Sequence, residues 1–123
     1  MKIVAMTAIA AALLACAPSA FAAEAEPLTE CVQLSAKHRG TRAGDNSQLL
    51  LQDGEAYYRV DFKRSCDAMA RSSIVHIATN GQDNLLCPSG TAVRSRVDSC
   101  TASAVSTLDE DTFKREMRRN RFR

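Results

Sequence analysis

The chain has 123 residues, a formal net charge of +2, two Tyr, four Phe and no Trp. That length allows one domain, and the few aromatics dictate an aliphatic core of modest size. Five glycines scattered singly exclude a phosphate-binding loop, and the absence of any C-x-x-C pair removes the usual zinc and thioredoxin-type redox patterns.

The chain opens on a short positive segment at Lys2, an apolar run from Ile3 to Leu14, and the small-x-small pattern Ala20-Phe21-Ala22. Residues 1–22 are therefore expected to be a secretory signal peptide. No basic stop-transfer cluster follows, so no transmembrane span is expected after cleavage. A competing cut exists at Leu13-Leu14-Ala15-Cys16, which matches a lipobox. An exported, periplasmic protein is the first reading, and a lipoprotein anchored through Cys16 is the alternative. Either way Cys16 leaves the thiol count.

Residues 23–28 (A-E-A-E-P-L) read as a mobile acidic spacer, and residues 29–107 as a disulfide-stapled β domain. Thr29 to Ser35 fits a first strand, with Cys31 and Gln33 on one side and Val32 and Leu34 on the other. Ala36 to Ser47 is polar and glycine-containing, a loop with room for a ragged strand near Thr41. The stretch from Gln48 to Cys66 is the strongest signal. Two apolar runs flank Asp53-Gly54, a tight-turn dipeptide. With those two residues as the turn, Leu51 lies opposite Ala56 and Leu49 opposite Tyr58. Leu49, Leu51, Ala56, Tyr58, Val60 and Phe62 then share one face, and Arg59 and Asp61 point away.

Lys63 to Ser72 reads as a connecting turn with room for one helical turn. Ser73 to Thr79 is a β-branched strand ended by Asn80-Gly81. Leu85 to Cys87 is short and apolar, and Pro88-Ser89-Gly90 breaks it. Thr91 to Val97 alternates, and Ser99 to Thr107 suits a last strand. From Thr107 the character changes: Thr107 with Glu110 matches a capping box. Residues 108–123 are expected to form a basic helix and tail, the helix running from about Leu108 to Asn120 with Phe113 and Met117 as a narrow docking stripe. The predicted fold is mainly β: a small antiparallel barrel or rolled sheet of five to six strands with a C-terminal helix.

Cys31, Cys66, Cys87 and Cys100 remain after the leader. Four cysteines in an exported chain of this size imply two disulfides. Barrel closure brings first and last strands together, which favours Cys31–Cys100, and a local Cys66–Cys87 link then completes the set.

This order of elements resembles a family of short exported proteobacterial proteins with no assigned function. The resemblance rests on Cys31, the strand Y-Y-R-V-D-F running toward Cys66, Leu86-Cys87 and a strand begun by Cys100. It covers about Cys31 to Val105. Members often carry an aspartate after the Leu-Cys step, where this chain has Pro88-Ser89. The resemblance implies a four-cysteine β domain and export, and it supplies no catalytic residues.

Chemistry-bearing residues are sparse. His38 sits between Lys37 and Arg39, a neighbourhood hostile to protonation and metal binding, and His76 lies mid-strand. Met69 and Met117 read as core filling rather than copper ligands. No G-x-S-x-G is present, and the acids near Asp109 serve the helix dipole. No catalytic residue, metal ligand or cofactor is expected. The charge distribution is the one functional hint. Lys114, Arg115, Arg118, Arg119, Arg121 and Arg123 face only Glu116: six cations less one acid, net +5. Residues 23–113 carry nine basic and thirteen acidic side chains, net −4. The bland reading is a solvated helix end. The functional one is contact with anionic lipid, lipopolysaccharide phosphate or an acidic face of an envelope protein. Nucleic acid is the weaker choice, because no aromatics interleave with the cations. The expected function is a non-enzymatic exported envelope protein, a small binding or structural module. The alternative is a small hydrolase or a metal-handling periplasmic protein.

Overall fold

In the computed structural model the described residues are 25–72 and 75–121. The expected leader, Cys16, Ser73, Ile74, Phe122 and Arg123 lie outside them. Ala25–Pro27 forms β1, Val32–Gln33 β2, Arg39–Ala43 β3, Gln48–Asp53 β4 and Ala56–Asp61 β5. Asp67–Arg71 is a short helix, α1, followed by β6 (His76–Thr79), β7 (Gln82–Asp83), β8 (Leu85–Leu86) and β9 (Thr91–Arg94). Ser99–Thr101 is β10, Ala104–Leu108 is β11 and Glu110–Arg121 is the C-terminal helix, α2. One sheet has the order β1-β11-β5-β4-β3, a second β10-β9-β6-β7, and β2 pairs with β8 alone. All ladders are antiparallel.

Among the described residues no sheet closes into a barrel, because the edge strands β1, β3, β7 and β10 each pair on one side only. The last stretch is itself broken at Ala102–Ser103. The Ser103 amide and hydroxyl both donate to the Asp61 carbonyl, at 2.7 and 3.0 Å. The Ala102 amide donates to the Thr91 carbonyl at 2.8 Å. The chain therefore leaves the second sheet as β10 and enters the first as β11. The main core is filled from both sheets: Leu49, Leu51, Tyr58, Val60 and Val105 meet Ile77 and Val93, with Met69 of α1 fully buried among them.

The disulfide pairing differs from expectation. Cys31 bonds Cys87, and Cys66 bonds Cys100. Both follow from the strand pairing. Val32 lies opposite Leu86, so the next residues outward, Cys31 and Cys87, face each other with Cα atoms 4.1 Å apart. β10 packs beside α1, which brings Cys100 onto Cys66 at the helix start, 5.8 Å between Cα atoms. Without barrel closure there is no first-to-last seam for Cys31 and Cys100 to lock.

The long hairpin keeps its expected faces and changes its register. Leu51 lies opposite Tyr58, Leu49 opposite Val60 and Asp53 opposite Ala56. The loop is Gly54-Glu55, with Gly54 at φ 62°, the arrangement of a II′ turn. Asp53 stays in the strand. A turn displaced by one residue slides the partner by two, so every side chain keeps its side. The next expected turn holds: Asn80 and Gly81, both at positive φ, link β6 to β7.

Within the stretch read as a spacer, Ala25–Pro27 is an edge strand. Ala25–Pro27 pairs with β11, Leu28 enters the core, and its amide donates to the Val105 carbonyl at 2.9 Å. Hydrophobicity at a single position, Leu28, outweighs the acidic composition around it. The loop before β4 is also more ordered than its polarity suggests. Gly44, Asp45 and Asn46 all adopt left-handed φ, of 57°, 55° and 65°. That turn offers the Asn46 carbonyl to the Cys66 amide at 2.7 Å.

Candidate functional site

Of the cations singled out in the sequence, Lys114, Arg115, Arg118, Arg119 and Arg121 lie on α2, so their geometry depends on how α2 is held. The helix starts later than the capping box implies. Leu108 is locked into β11 opposite Tyr57, and Asp109 instead accepts the Thr112 amide at 2.7 Å. Asp109 is thus the cap, and Glu110 and Asp111 fill the first turn, where acids suit the helix dipole. Phe113 and Met117 dock as expected. They pack on the outer face of the five-stranded sheet with Leu50, Leu108 and Ala43, and the Phe113 ring centroid is 4.7 Å from that of Tyr57. This explains the run Leu49-Leu50-Leu51. β4 is covered on both faces, so alternation gives way to three consecutive buried leucines.

Polar contacts fix the helix further along. Glu116 reaches Arg59 at 3.8 Å, and Arg59 also pairs with Asp61 at 3.1 Å. The Asn120 side-chain amide donates to the Arg42 carbonyl at 2.7 Å, pinning the last turn to β3. Phe113, Glu116, Met117 and Asn120 therefore face the sheet. A helix turns 100° per residue, so Lys114 stacks with Arg118 and Arg115 with Arg119, i to i+4, away from that face. All four are exposed. Arg123 lies outside the described residues, as does the side chain of Arg121.

Lys114 and Arg118 rim a notch of about 290 Å³ floored by Tyr57, Phe113 and Met117. Lys114 is tied to Glu110 at 2.8 Å, and that hydrogen bond holds its proton more firmly than usual. An exposed pair of this kind adds little stability. Arg119 borders Gly44 and Gln48 on the other flank. The site is thus an amphipathic edge: an aromatic-lined hollow flanked by cations.

Two other features bear on the hydrolase and metal readings. Ser35, His38 and Asp53 gather at one end of the hairpin. The Ser35 hydroxyl lies 2.5 Å from Asp53 Oδ1 and the Ser35 amide donates to Oδ2 at 2.9 Å. His38 Nδ1 sits 2.8 Å from the Ser35 carbonyl, not its hydroxyl. A nucleophile needs its hydroxyl on the base. Here the carboxylate takes the hydroxyl directly, so the cluster is a clasp between loop and hairpin. Sequence reading missed it, because Asp53 reads as a turn residue. The second feature is a cleft of about 590 Å³ between β3 and β6, floored by Leu49, Leu51 and Ile77. Its cationic rim is engaged: the Arg42 guanidinium donates to the Ser72 carbonyl. His76 is exposed and separate. Among the described residues no three His, Cys, Asp or Glu side chains converge as a metal site would require.

The clasp carries a pH prediction. The Ser35 hydroxyl and then its amide hold the Asp53 carboxyl below its ordinary value. A depressed folded-state value stabilises the fold above the unfolded carboxylate range, and that stability is lost as pH falls through the folded value. Asp53→Asn is expected to cost about 1 kcal/mol at pH 7 and to narrow the gap from wild type near pH 3. Urea midpoints of both proteins at the two pH values check it, and a gap independent of pH contradicts it.

Against family models, curated proteins and solved structures the chain has no match, so the reading of this site rests on its own residues.

Proposed function

We propose that the protein is a non-enzymatic exported module that binds an anionic lipid surface through the outward face of α2. The supporting observation is the exposed quartet Lys114, Arg115, Arg118 and Arg119, of which Lys114 and Arg118 rim the apolar notch. The two disulfides are compatible with an oxidising compartment outside the cytosol. Among the described residues no helix is long and apolar enough to cross a membrane. Export to the periplasm, with anchoring through Cys16 as the alternative, belongs to this proposal. So does kinship with the short exported four-cysteine proteins that the chain resembles.

The physical argument is electrostatic. Each cation near an anionic membrane is worth roughly a fivefold step in partitioning, and salt screens it over about 10 Å at 0.1 M. The notch adds a place for the glycerol and first methylenes of a lipid to enter. The test is flotation with phosphatidylglycerol vesicles at low and high salt. Wild type is expected to float at low salt and to be released by high salt. Replacing Arg118, Arg119, Arg121 and Arg123 by Gln is expected to reduce partitioning about tenfold or more with both disulfides intact. Equal flotation of the two proteins, or flotation of neither, defeats the proposal.

A further inference from the structure

A second basic concavity shares no lining residue with the notch beside α2. It has a volume of about 540 Å³, within the range of small-molecule sites. One wall is the segment after β5, Phe62 to Cys66. The other is Cys100 to Ser103, where the chain changes sheets. Both segments are loops in part, yet both are held. The Phe62 amide donates to the Ser47 carbonyl at 2.9 Å, and the Cys66 amide to Asn46. The opposite wall is fixed by Ala102 and Ser103, whose hydrogen bonds tie it to Thr91 and Asp61. The Cys66–Cys100 disulfide joins the two walls.

The lining is chemically one-sided. Its lining residues include Lys63, Arg64, Ser65, Thr101 and Ser103, and no Asp or Glu. Among the described residues no ion pair engages Lys63 or Arg64. Ser103 spends its hydroxyl proton on Asp61, which leaves Ser65 and Thr101 as hydroxyl donors. Phe62, Ala102 and the disulfide supply an apolar back. Two cations with two hydroxyl donors exceed what one carboxylate uses. They match the charge and the several acceptor oxygens of a phosphate, which a guanidinium meets with a planar fork.

We propose that this pocket binds a phosphate monoester of a small polyol or sugar. Lys63 and Arg64 take the phosphate, Ser65 and Thr101 donate to its oxygens, and the carbon body lies against Phe62, Ala102 and the disulfide. No covalent step is involved. The pocket is independent of the α2 surface, so either proposal stands if the other fails.

The test is an amide-resolved NMR titration of the full disulfide-bonded chain with glucose 1-phosphate, inorganic phosphate, glucose and phosphatidylglycerol vesicles as separate arms. Glucose 1-phosphate is expected to shift the amides of residues 63–66 and 101–103, inorganic phosphate to bind the same amides more weakly, and glucose to leave them unmoved. The double variant Lys63→Gln/Arg64→Gln changes only exposed side chains. It is expected to weaken glucose 1-phosphate binding about tenfold or more, while thermal midpoint and vesicle flotation stay at wild-type values. Three results overturn the proposal: no shift at these amides with glucose 1-phosphate, equal binding by the double variant, or inorganic phosphate binding as tightly as the ester. Vesicles that shift these amides where glucose 1-phosphate does not would assign the phosphate to a lipid headgroup and also overturn it.

Discussion

Replacing Cys66 and Cys100 together by Ala is expected to lower the unfolding free energy by about 4 kcal/mol. The bridge closes a loop with a sequence separation of 34 residues. In the chain-entropy treatment that restriction on the unfolded chain gives a value of this size. Small domains have about 5 to 15 kcal/mol in total, so this one change removes a large share. Cys66 is also buried in the main core beside Ala68 and Met69, and its loss leaves a gap there. Removing Cys31 and Cys87 is expected to cost a similar amount by the same entropy argument, since their separation is 56 residues. The two cases differ structurally. Cys31 is exposed, and its bridge joins the ends of the short β2–β8 pair to each other. Urea denaturation of oxidised wild type and both double variants measures the effects. A loss under about 1 kcal/mol for either pair would show that the bridge contributes no appreciable loop restriction. Non-reducing peptide mapping checks the pairing: Cys31–Cys87 and Cys66–Cys100 peptides are expected, and a Cys31–Cys100 peptide contradicts the fold.

Phe113→Ala is expected to cost about 3 kcal/mol and to release α2 from the sheet. Phe113 is 7% exposed and is the largest apolar side chain that α2 places on β4 and β5. Its removal empties the space over Leu50 and ends the ring contact with Tyr57. What remains to hold the helix is half-buried Met117, the long Glu116–Arg59 pair and the Asn120 hydrogen bond. None of these replaces an aromatic anchor. Met117→Ala, at a half-buried position, is expected to cost about 1 kcal/mol. Hydrogen exchange separates local from global loss: α2 amides are expected to lose protection in Phe113→Ala while β4 and β5 keep theirs. Wild-type protection across α2 in the variant would show that the helix is held by something other than this ring.

The hairpin, the C-terminal helix and the faces of the hairpin residues were legible because they depend on short-range patterns. Side chains alternate along any extended chain, so Leu49, Leu51, Tyr58, Val60 and Phe62 had to share a side once a turn lay near Gly54. This held even with the register displaced by two, since a shift of two preserves parity. Phe113 and Met117 are four residues apart, which places them on one stripe of any helix. The six basic residues at positions 114–123 were visible as a block, and a helix docked by its apolar stripe turns those on the opposite side outward. The number of cysteines likewise indicated two bridges.

Local features could be read along the chain: the alternation, the Asn80-Gly81 turn, the helix stripe and the number of bridges. Which cysteine meets which, whether the sheet closes and where the first strand begins follow from long-range packing. Those outcomes depend on pairs far apart in sequence: Ser103 on Asp61, Ala102 on Thr91, Val32 opposite Leu86, and Leu28 against Val105. The pocket at Lys63 and Arg64 has the same origin, because its second wall comes from residues 100–103. A period read along the chain reports which side a residue faces. It carries no information about what lies across from it, because that is set by the packing free energy of the whole domain.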